Sequence, residues 1–204
     1  MSRIAVVDHG AGNLVSVAQG LRRAGAEVTI SAHPADLGEP DGIVLPGVGA
    51  TGAAMARLRD AGLVEPLRRW EGPLLGICVG MQLLFERSAE DDGVSCLGLI
   101  GGEVRRLDGA PLLPHIGWND VAATADPLFD GVASPTFYFV HSFAPEPEDP
   151  AVVIGTTDYG GPFVSAVRAG SRLGVQFHPE RSGSAGLAVL ANFVASCSGA
   201  SRAA

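Results

Sequence analysis

Cys78, one of three cysteines in the chain, lies between two glycines in the run Gly-Ile-Cys-Val-Gly over residues 76–80. Apolar residues precede it and a helical pattern follows it, so we expect a sharp turn from a buried strand into a helix. The helix N-terminus favours a thiolate, and the N–H of Val79 can face a developing oxyanion. The same pattern is also typical of a buried structural cysteine, so residues 76–80 alone leave both interpretations open.

A second group of reactive residue types follows another apolar strand, Gly-Val-Gln-Phe over residues 174–177. Pro179 separates His178 from Glu180, and residues two apart in an extended segment point the same way. Glu180 can then orient His178, which can take and return a proton for a cysteine nucleophile. The alternative is a turn in which Glu180 only pairs with Arg181. Because the cysteine and this group both follow predicted strands, their combination favours nucleophilic catalysis.

Two loops that contain glycine follow other predicted strands. Residues 46–49, Pro-Gly-Val-Gly, allow a tight turn whose N–H groups point into a site, which beside Cys78 predicts an oxyanion loop. Residues 10–13, Gly-Ala-Gly-Asn, resemble a dinucleotide-binding loop, but Val15 stands where the third glycine belongs. The Gly-Lys-Ser/Thr of a phosphate loop is also missing there. The sequence therefore predicts no nucleotide site.

The spacing of the other histidines and cysteines does not predict a metal site. His115 and His141 have no further ligands at zinc-like spacing, so we expect a structural or substrate-positioning role for each. Cys96 and Cys197 have no base nearby in the sequence and are expected to be inert. An odd number of cysteines without a CxxC pair also argues against a disulfide framework. We expect neither a metal nor a cofactor.

The composition is that of an ordinary globular protein. The 204 residues are 47% hydrophobic and 18% charged, with a formal net charge of −8. Since the chain has no run of basic residues, nucleic acid is not an expected partner. We find no secretory signal and no apolar run of membrane-spanning length, which predicts a soluble, cytoplasmic protein without a membrane partner.

Patterns in the first half predict the elements that position these residues. Strands are expected over residues 3–8, 27–31, 42–46 and 73–77. Helices are expected from Leu14 with Asn13 as N-cap and Gly25 as the stop, over residues 50–69 with a break near Gly62, and over residues 79–86. Strands that alternate with helices predict a mostly parallel sheet with helices on both faces.

The second half predicts an antiparallel addition to that sheet. Strands are expected over residues 101–107, 115–121, 136–140, 151–157, 163–168 and 172–177, followed by a helix around residues 187–194. Residues 144–150, rich in Pro and Glu, are predicted to be a surface loop. The expected fold class is α/β, with a mostly parallel central sheet, flanking helices and an antiparallel portion. We expect a single domain over residues 1–197 and a flexible tail over residues 198–204.

Several stretches together resemble one protein family. They are residues 7–14, Val-Asp-His-Gly-Ala-Gly-Asn-Leu; 45–50, Leu-Pro-Gly-Val-Gly-Ala; 76–85, Gly-Ile-Cys-Val-Gly-Met-Gln-Leu-Leu-Phe; 114–119, Pro-His-Ile-Gly-Trp-Asn; 138–142, Tyr-Phe-Val-His-Ser; and 176–182, Gln-Phe-His-Pro-Glu-Arg-Ser. Over nearly its whole length the chain resembles the class I, triad-type glutamine amidotransferases. It resembles more closely those that are glutaminase subunits of imidazole glycerol phosphate synthase, in histidine biosynthesis.

The resemblance implies a role for each residue that matches the family pattern. The implied catalytic triad is Cys78, His178 and Glu180. The implied oxyanion hole is formed by Val48, Gly49 and Val79. Glutamine would be held by Gln82, Glu90 and the backbone of His141, Ser142 and Phe143. The residues implied to lie toward a partner are Asn13, Tyr138 and Arg181.

The resemblance also implies a reaction and a partner. Glutamine is hydrolysed to glutamate and ammonia through a cysteine thioester. The ammonia passes through an internal channel to a (β/α)₈-barrel cyclase, the other subunit of a heterodimer, which forms imidazole glycerol phosphate. Some positions depart from the family pattern, which usually has other residues at His9, Thr51, Val79, Phe143 and Arg181. Arg181 keeps the charge of the usual Lys but not its geometry.

Three other functions are compatible with parts of the pattern. A class I glutaminase could serve a different synthase, such as the one that makes pyridoxal phosphate, but residues 114–119 weigh against it. A scaffold without activity could keep the fold, although an intact set of Cys78, His178 and Glu180 argues against this. A cysteine peptidase of similar fold would cleave peptides without any dependence on glutamine.

The first prediction concerns which cysteine reacts. A glutamine-like chloroketone should label Cys78 quickly and leave Cys96 and Cys197 unmodified, because only Cys78 has an expected base and a helix N-terminus beside it. Peptide mapping after brief labelling measures this. Label found chiefly on Cys96 or Cys197 would contradict the assignment of the nucleophile.

Overall fold

The fold is known from a computed structural model, which describes residues 1–200. An eight-stranded sheet crosses the molecule, and its strands, numbered in chain order, lie side by side as β2-β1-β3-β4-β14-β13-β12-β9. Their bounds are β1 Arg3–Val7, β2 Glu27–Ser31, β3 Gly42–Gly47, β4 Leu74–Cys78, β9 Ala122–Ala123, β12 Val153–Asp158, β13 Pro162–Ala169 and β14 Arg172–Val175. The strands from β2 to β14 in this order are parallel, and β13, β12 and β9 continue the sheet antiparallel. The predicted fold class is confirmed.

Two smaller sheets hold the remaining strands. One has four strands in the order β11-β7-β5-β6, and the other pairs β10 with β8. Their bounds are β5 Arg87–Ser88, β6 Val94–Ser95, β7 Gly102–Arg106, β8 His115–Asp120, β10 Thr136–His141 and β11 Phe143–Pro147. The antiparallel portion is therefore divided among three sheets, whereas the patterns predicted only an addition to the central one.

Five α-helices accompany the strands in residues 1–200. They are α1 Leu14–Arg23, α2 Thr51–Asp60, α3 Val64–Arg69, α4 Val79–Gln82 and α5 Gly183–Ala200. Asn13 caps α1 as predicted, since its side chain accepts a hydrogen bond from the N–H of Ser16. The chain between α2 and α3 contains Gly62 at φ 68°, the predicted break. No described helix is long and apolar enough to span a bilayer.

The helix predicted over residues 79–86 is wrong in its length. The α-helix ends at Gln82, and the next bonds are tighter, from the N–H of Leu84 to Met81 and from Phe85 to Gln82. The carbonyls of residues 83–86 accept hydrogen bonds from the N–H groups of residues 96–100, where the chain returns. Because those carbonyls are occupied by the returning chain, the helix does not continue.

The surface loop predicted over residues 144–150 is also wrong, because most of it is strand β11. The strand pairs antiparallel with β7, and Ala144 is buried. Pro145 and Pro147 suggested a loop because proline cannot donate to a ladder, but β11 lies at the edge of its sheet, where proline is tolerated. Helix α5 continues through residues 198–200 of the predicted tail, and residues 201–204 lie outside the described residues.

Three strand-to-helix contacts bring the backbones of β3, β4 and α4 close together. A methyl group on Gly80 would overlap the carbonyl oxygen of Leu45 in β3. A methyl group on Gly76 would lie 2.6 Å from the carbonyl oxygen of Gly80 and 2.7 Å from the Cα of Met81. These contacts leave no room for a side chain, so residues 76 and 80 must be glycine for α4 to start directly after β4.

Gly80→Ala should lower the free energy of unfolding by about 1–3 kcal/mol, because the new methyl group meets backbone that cannot move aside. Gly52→Ala is the matched control. Its methyl group would meet side-chain atoms and no backbone, at 3.0 Å from Oδ2 of Asp91 and 3.3 Å from Cγ2 of Val94, and the helix gains from alanine. Urea unfolding of both variants tests the point, and equal stability of the two would show that the packing at residue 80 is looser than described.

Candidate active site

Cys78 occupies the turn that the sequence predicted, and its backbone is unusual. It is the last residue of β4 and the N-cap of α4, with φ 53° and ψ −112°. Positive φ is uncommon for a residue with a side chain and is characteristic of strained functional positions. The chain reverses sharply at Cys78, so its side chain is set at the carboxyl edge of the central sheet.

The neighbours of β4 decide what surrounds this sulfur. On one side β3 pairs in parallel, with Gly47 opposite Cys78. On the other side β14 pairs in parallel, with Val175 opposite Ile77, so the chain that follows β14 passes beside the turn. The loop over residues 46–49 and the residues up to His178 therefore flank Cys78 from opposite sides.

His178 and Glu180 form the contact that the sequence predicted. The Nδ1 of His178 lies 2.8 Å from Oε1 of Glu180, and only 4% and 1% of the two side chains are exposed. The geometry differs from the extended segment that was expected, because residues 179–181 form a 3₁₀ turn. The alternative pairing of Glu180 with Arg181 does not occur; the Arg181 guanidinium lies 4.1 Å from the centre of the Tyr138 ring.

The surroundings of His178 favour its protonated form. Burial lowers the pKa of the imidazole, but the nearby Cys78 sulfur and the Glu180 carboxylate outweigh burial and raise the pKa to about 10. The second ring nitrogen, Nε2, is buried and has no well-formed hydrogen bond to any described residue, although Cys78 is close enough to affect the pKa. Nε2 is thus the atom able to exchange a proton with a reacting group.

Strand β10 fixes the turn that carries His178. The N–H of His178 donates to the carbonyl of Tyr138 at 2.9 Å, and the N–H of Tyr138 donates to Oγ of Ser182 at 3.0 Å. The Ser182 hydroxyl in turn donates to the carbonyl of His178 at 2.6 Å. Further along β10, the carbonyl of Val140 lies 3.8 Å from the Cys78 sulfur. This strand therefore touches both the histidine turn and the cysteine turn.

The loop over residues 46–49, predicted to be an oxyanion loop, lies beside the cysteine turn, and its two glycines differ in their surroundings. Gly49 has φ 87° and open space around it, and Val48 is 40% exposed. Gly47 belongs to β3, where a methyl group would lie 2.9 Å from the backbone nitrogen of Gly80. The sequence predicted a tight turn over residues 46–49, and in the structure only Gly49 of its two glycines has space to change conformation. Val79, the third predicted oxyanion residue, is buried at the start of α4.

The predicted glutamine-binding residues already have partners in the described chain. Both N–H groups of Gln82 are used, one on the carbonyl of Phe143 at 2.9 Å and one on Oε1 of Gln176 at 3.1 Å. Its own Oε1 is the atom left for a ligand. Glu90 accepts from the N–H and the hydroxyl of Thr51, at 2.8 and 2.9 Å, so its carboxylate lies at the start of α2.

Residues 141–143 connect two sheets beside these groups. His141 ends β10 and Phe143 begins β11, with the partly buried Ser142 between them. The N–H of Leu107 donates to the carbonyl of Ser142, which ties the connection to the chain after β7.

Sequence reasoning missed Gln176. Its side chain is fully buried, and its Nε2 lies 3.6 Å from the Cys78 sulfur, while its Oε1 accepts from Gln82. Only Phe177 separates it from His178 in the run Gln-Phe-His, and that proximity was the available signal. Gln176 is a polar residue in the otherwise apolar run that leads to the proposed base, and this pattern indicates a functional contact.

The residues predicted to face a partner lie at the surface. Trp118 and Ile116, which were not predicted to do so, are exposed as well. Asn13 and Arg181 are exposed, and Tyr138 is partly exposed. Trp118 pairs with Tyr138 across the β8–β10 ladder, their rings 6.0 Å apart, and Trp118 is 58% exposed. Ile116, on the same face of β8, is 59% exposed. We call Trp118, Tyr138 and Arg181 the aromatic cluster.

The other cysteines differ from Cys78 in their surroundings. Burial raises the pKa of Cys96 to about 11 and that of Cys197 to about 12. Each donates its S–H to a nearby carbonyl, of Val94 and Phe193 respectively. Among the described residues, 1–200, no group of three His, Cys, Asp or Glu side chains is arranged to hold a metal ion.

The family is established by comparison with known proteins. The family model described as Glutamine amidotransferase class-I matches residues 5–197. The chain therefore belongs to the class I glutamine amidotransferases, the class for which a cysteine turn beside a His–Glu pair was expected.

Within this class, the chain is similar to imidazole glycerol phosphate synthase subunits named HisH. It is 46% identical to the subunit of Moorella thermoacetica, over 95% of this chain and 94% of that one. It is 48% identical to the subunit of Symbiobacterium thermophilum and 47% identical to that of Halobacterium salinarum, in both cases over 95% of this chain and 93% of the relative. The chain thus belongs to the HisH group of the family.

Solved structures agree on the fold. PurLQS from Thermotoga maritima superposes with a TM-score of 0.72 at 21% identity, over 96% of this chain and 99% of that chain. A structure described as glutamine amidotransferase gives a TM-score of 0.72 at 19% identity, over 95% of this chain and 98% of that chain. At such identities the likeness concerns the fold alone.

The geometry of the site predicts the charge state of His178. Its NMR titration should have a midpoint near pH 10, and the midpoint should fall in Cys78→Ala and in Glu180→Gln, since each change removes a cause of the raised pKa. By linkage, His178 contributes stability below about pH 6.5, and this contribution is lost as the pH rises through about 10. A His178 midpoint near 6.5 in the unaltered protein would contradict the proposed pairing.

Proposed function

We propose that this chain hydrolyses glutamine to glutamate and ammonia, and that it delivers the ammonia to a (β/α)₈-barrel cyclase subunit that forms imidazole glycerol phosphate. The observation that carries the proposal is the turn at Cys78 beside the buried, hydrogen-bonded pair of His178 and Glu180. The HisH names of relatives near 46% identity support the identity of the synthase.

The chemistry follows from the three side chains. The Cys78 sulfur attacks the carboxamide carbon of glutamine, and the carbonyl electrons move onto the oxygen of a tetrahedral intermediate. The N–H groups of Val79 and of the loop at Val48 and Gly49 are the donors for that oxygen. His178, protonated at neutral pH, gives its proton to the departing nitrogen, so that ammonia leaves and a thioester remains.

The second half of the cycle returns the enzyme to its starting state. Neutral His178 now takes a proton from water, and the hydroxide attacks the thioester carbon. The carbon–sulfur bond breaks, glutamate leaves, and the histidine proton remains beside the Cys78 sulfur. Glu180, bonded to Nδ1 at 2.8 Å, keeps Nε2 directed at the reacting atoms in both halves.

Substrate recognition is assigned to groups around the turn. Glu90 supplies a negative charge for the α-ammonium group of glutamine, and its contacts to Thr51 hold that carboxylate at the start of α2. Gln82 presents Oε1, because both of its N–H groups are used within the protein. Backbone groups of residues 141–143 complete the site.

We assign the partner surface to the aromatic cluster together with Ile116 and Asn13. Large exposed apolar side chains that are rimmed by a charged group are typical of protein interfaces. Tyr138 also accepts the N–H of His178 through its carbonyl, so the docking face is hydrogen-bonded directly to the histidine turn. Arg181 stacks on Tyr138, an arrangement in which Arg and the usual Lys differ.

The same arrangement supports a glutaminase that is nearly inactive alone. Only 2% of Cys78 is exposed, so glutamine needs a rearrangement to reach the sulfur. Gly49, at φ 87°, allows the peptide between Val48 and Gly49 to turn and offer either a carbonyl or an N–H to the oxyanion. Loss of one oxyanion donor costs about 10²–10³ in rate, which is enough to keep the site almost inactive until a partner biases the loop.

Cys78→Ser should abolish glutamine-dependent synthesis by the complex of this chain with the cyclase, while synthesis from added ammonia persists. The substitution removes the nucleophile but leaves the partner surface intact. Cys96→Ser is the control and should keep full glutamine-dependent activity. Glutamate release and product formation are measured in parallel, and substantial glutamate release by Cys78→Ser would refute the mechanism.

The same assay tests the partner. Glutamate release by the chain should be slow alone, faster with the cyclase, and fastest when the cyclase also has its substrate. Equal rates in the three mixtures would refute the coupling, and no glutamate release in any mixture would refute the proposed function as a whole.

A further inference from the structure

Two buried histidines outside the proposed triad form a hydrogen-bonded pair. His115 and His141 lie opposite each other in the β8–β10 ladder, and both are almost fully buried. Nδ1 of His115 is 3.2 Å from Nε2 of His141. Burial of two imidazoles needs a reason, because each loses its hydration and gains only this contact and a few others.

The proton positions in the pair follow from the partners. A carbonyl can only accept, so Nδ1 of His141 donates to the carbonyl of Phe143 at 2.9 Å. Burial lowers the pKa of His141 to about 4, so the ring is neutral at ordinary pH and its Nε2 carries no proton. His115, whose pKa is also lowered by burial, must then donate from Nδ1 to that nitrogen.

The carbonyl of Phe143 links this pair to the nucleophile. It also accepts the N–H of Gln82 at 2.9 Å. The second N–H of Gln82 donates to Gln176, whose own N–H points at the Cys78 sulfur at 3.6 Å. A continuous series of buried and partly buried hydrogen bonds thus runs from the histidine pair to the reactive sulfur.

We propose that His141 is a positioning residue which, through the Phe143 carbonyl, orients Gln82 and Gln176 and so holds the Cys78 sulfur in place. This inference depends on the proposed function only where the turnover of glutamine is measured. The carbonyl lies where β10 of one sheet passes into β11 of another, and the bond from His141 helps to direct it toward Gln82. Without that bond the Gln82 amide loses one of the two fixed acceptors that set its direction.

The orientation of Gln82 matters beyond its own contacts. An amide that turned over would place its oxygen against the oxygen of Gln176, and Gln176 would have to move its N–H away from the sulfur. A misplacement of about 1 Å near a reacting atom costs up to about 100-fold in rate. The histidine pair can therefore affect turnover without touching glutamine.

A purely structural role for the pair makes a different prediction. If His141 only satisfies buried polar groups, its loss lowers stability but leaves the reactivity of Cys78 unchanged. The measurements must therefore separate stability from the reactivity of the sulfur and from turnover.

The test compares His141→Leu with His141→Asn in the complex with the cyclase. Leucine removes the donor to Phe143, whereas the amide of asparagine can replace Nδ1. His141→Leu should slow alkylation of Cys78 by iodoacetamide, a reagent without the α-amino acid group of glutamine, by about 10- to 100-fold and should lower kcat for glutamine similarly. His141→Asn should stay within about threefold of the unaltered protein in both the alkylation rate and kcat, because the asparagine amide restores the donor.

Asn192→Ala is the matched control. Its side chain gives two hydrogen bonds to the carbonyls of Leu128 and Asp130, away from the series, so its loss should lower the melting temperature without changing alkylation of Cys78. If Asn192→Ala slowed alkylation as much as His141→Leu, or if His141→Leu reacted at the normal rate, the positioning role would be refuted.

Gln176→Met provides a second route if His141→Leu does not fold. Methionine keeps the length of the side chain but cannot bond to Gln82 or donate to Cys78, so alkylation should slow by a similar factor. A normal alkylation rate in Gln176→Met would overturn the proposal. Absence of glutamate release by the unaltered complex would instead refute the proposed function, and the alkylation comparison would still decide the role of His141.

Discussion

The backbone of Cys78, at φ 53° and ψ −112°, is the conformation on which the remaining geometry depends. A residue with a side chain in such a conformation carries a cost of about 1–3 kcal/mol, which the surrounding packing must offset. The offset comes from the contact of Gly80 with the carbonyl of Leu45 and of Gly76 with the first turn of α4, both of which require glycine. Because β4 is central in the sheet and flanked by β3 and β14, the strained turn is held from two sides.

The strand order then decides which chemistry surrounds the sulfur. Strand β3 brings the loop with Gly49, and β14 leads into Gln176 and His178. Strand β10, which belongs to a separate sheet, crosses both turns and bonds to each through backbone atoms. It also carries Tyr138 of the aromatic cluster near its middle and His141 at its end, so a single strand connects the outer face with the groups around the nucleophile.

Local patterns predicted the parallel half of the fold and the reactive residues because both depend on short-range regularities. Alternation of strands and helices, capping by Asn13, and the glycines around Cys78 are all visible in the sequence. The errors arise from partners distant in sequence. Residues 83–86 leave the helix because residues 96–100 bond to their carbonyls, and β11 forms despite its prolines because it lies at a sheet edge. Gln176 was missed for the same reason, since only the folded chain brings it to the sulfur.

The central claim is that the turn at residue 78 presents a nucleophile that becomes acylated by glutamine. Mass spectrometry of the complex with the cyclase, quenched in acid during turnover of glutamine, tests this directly. We expect one glutamyl group bound as a thioester on the peptide that contains Cys78, and none on the peptides that contain Cys96 or Cys197. Glutamate release without any adduct on Cys78, or an adduct on a different residue, would contradict the mechanism.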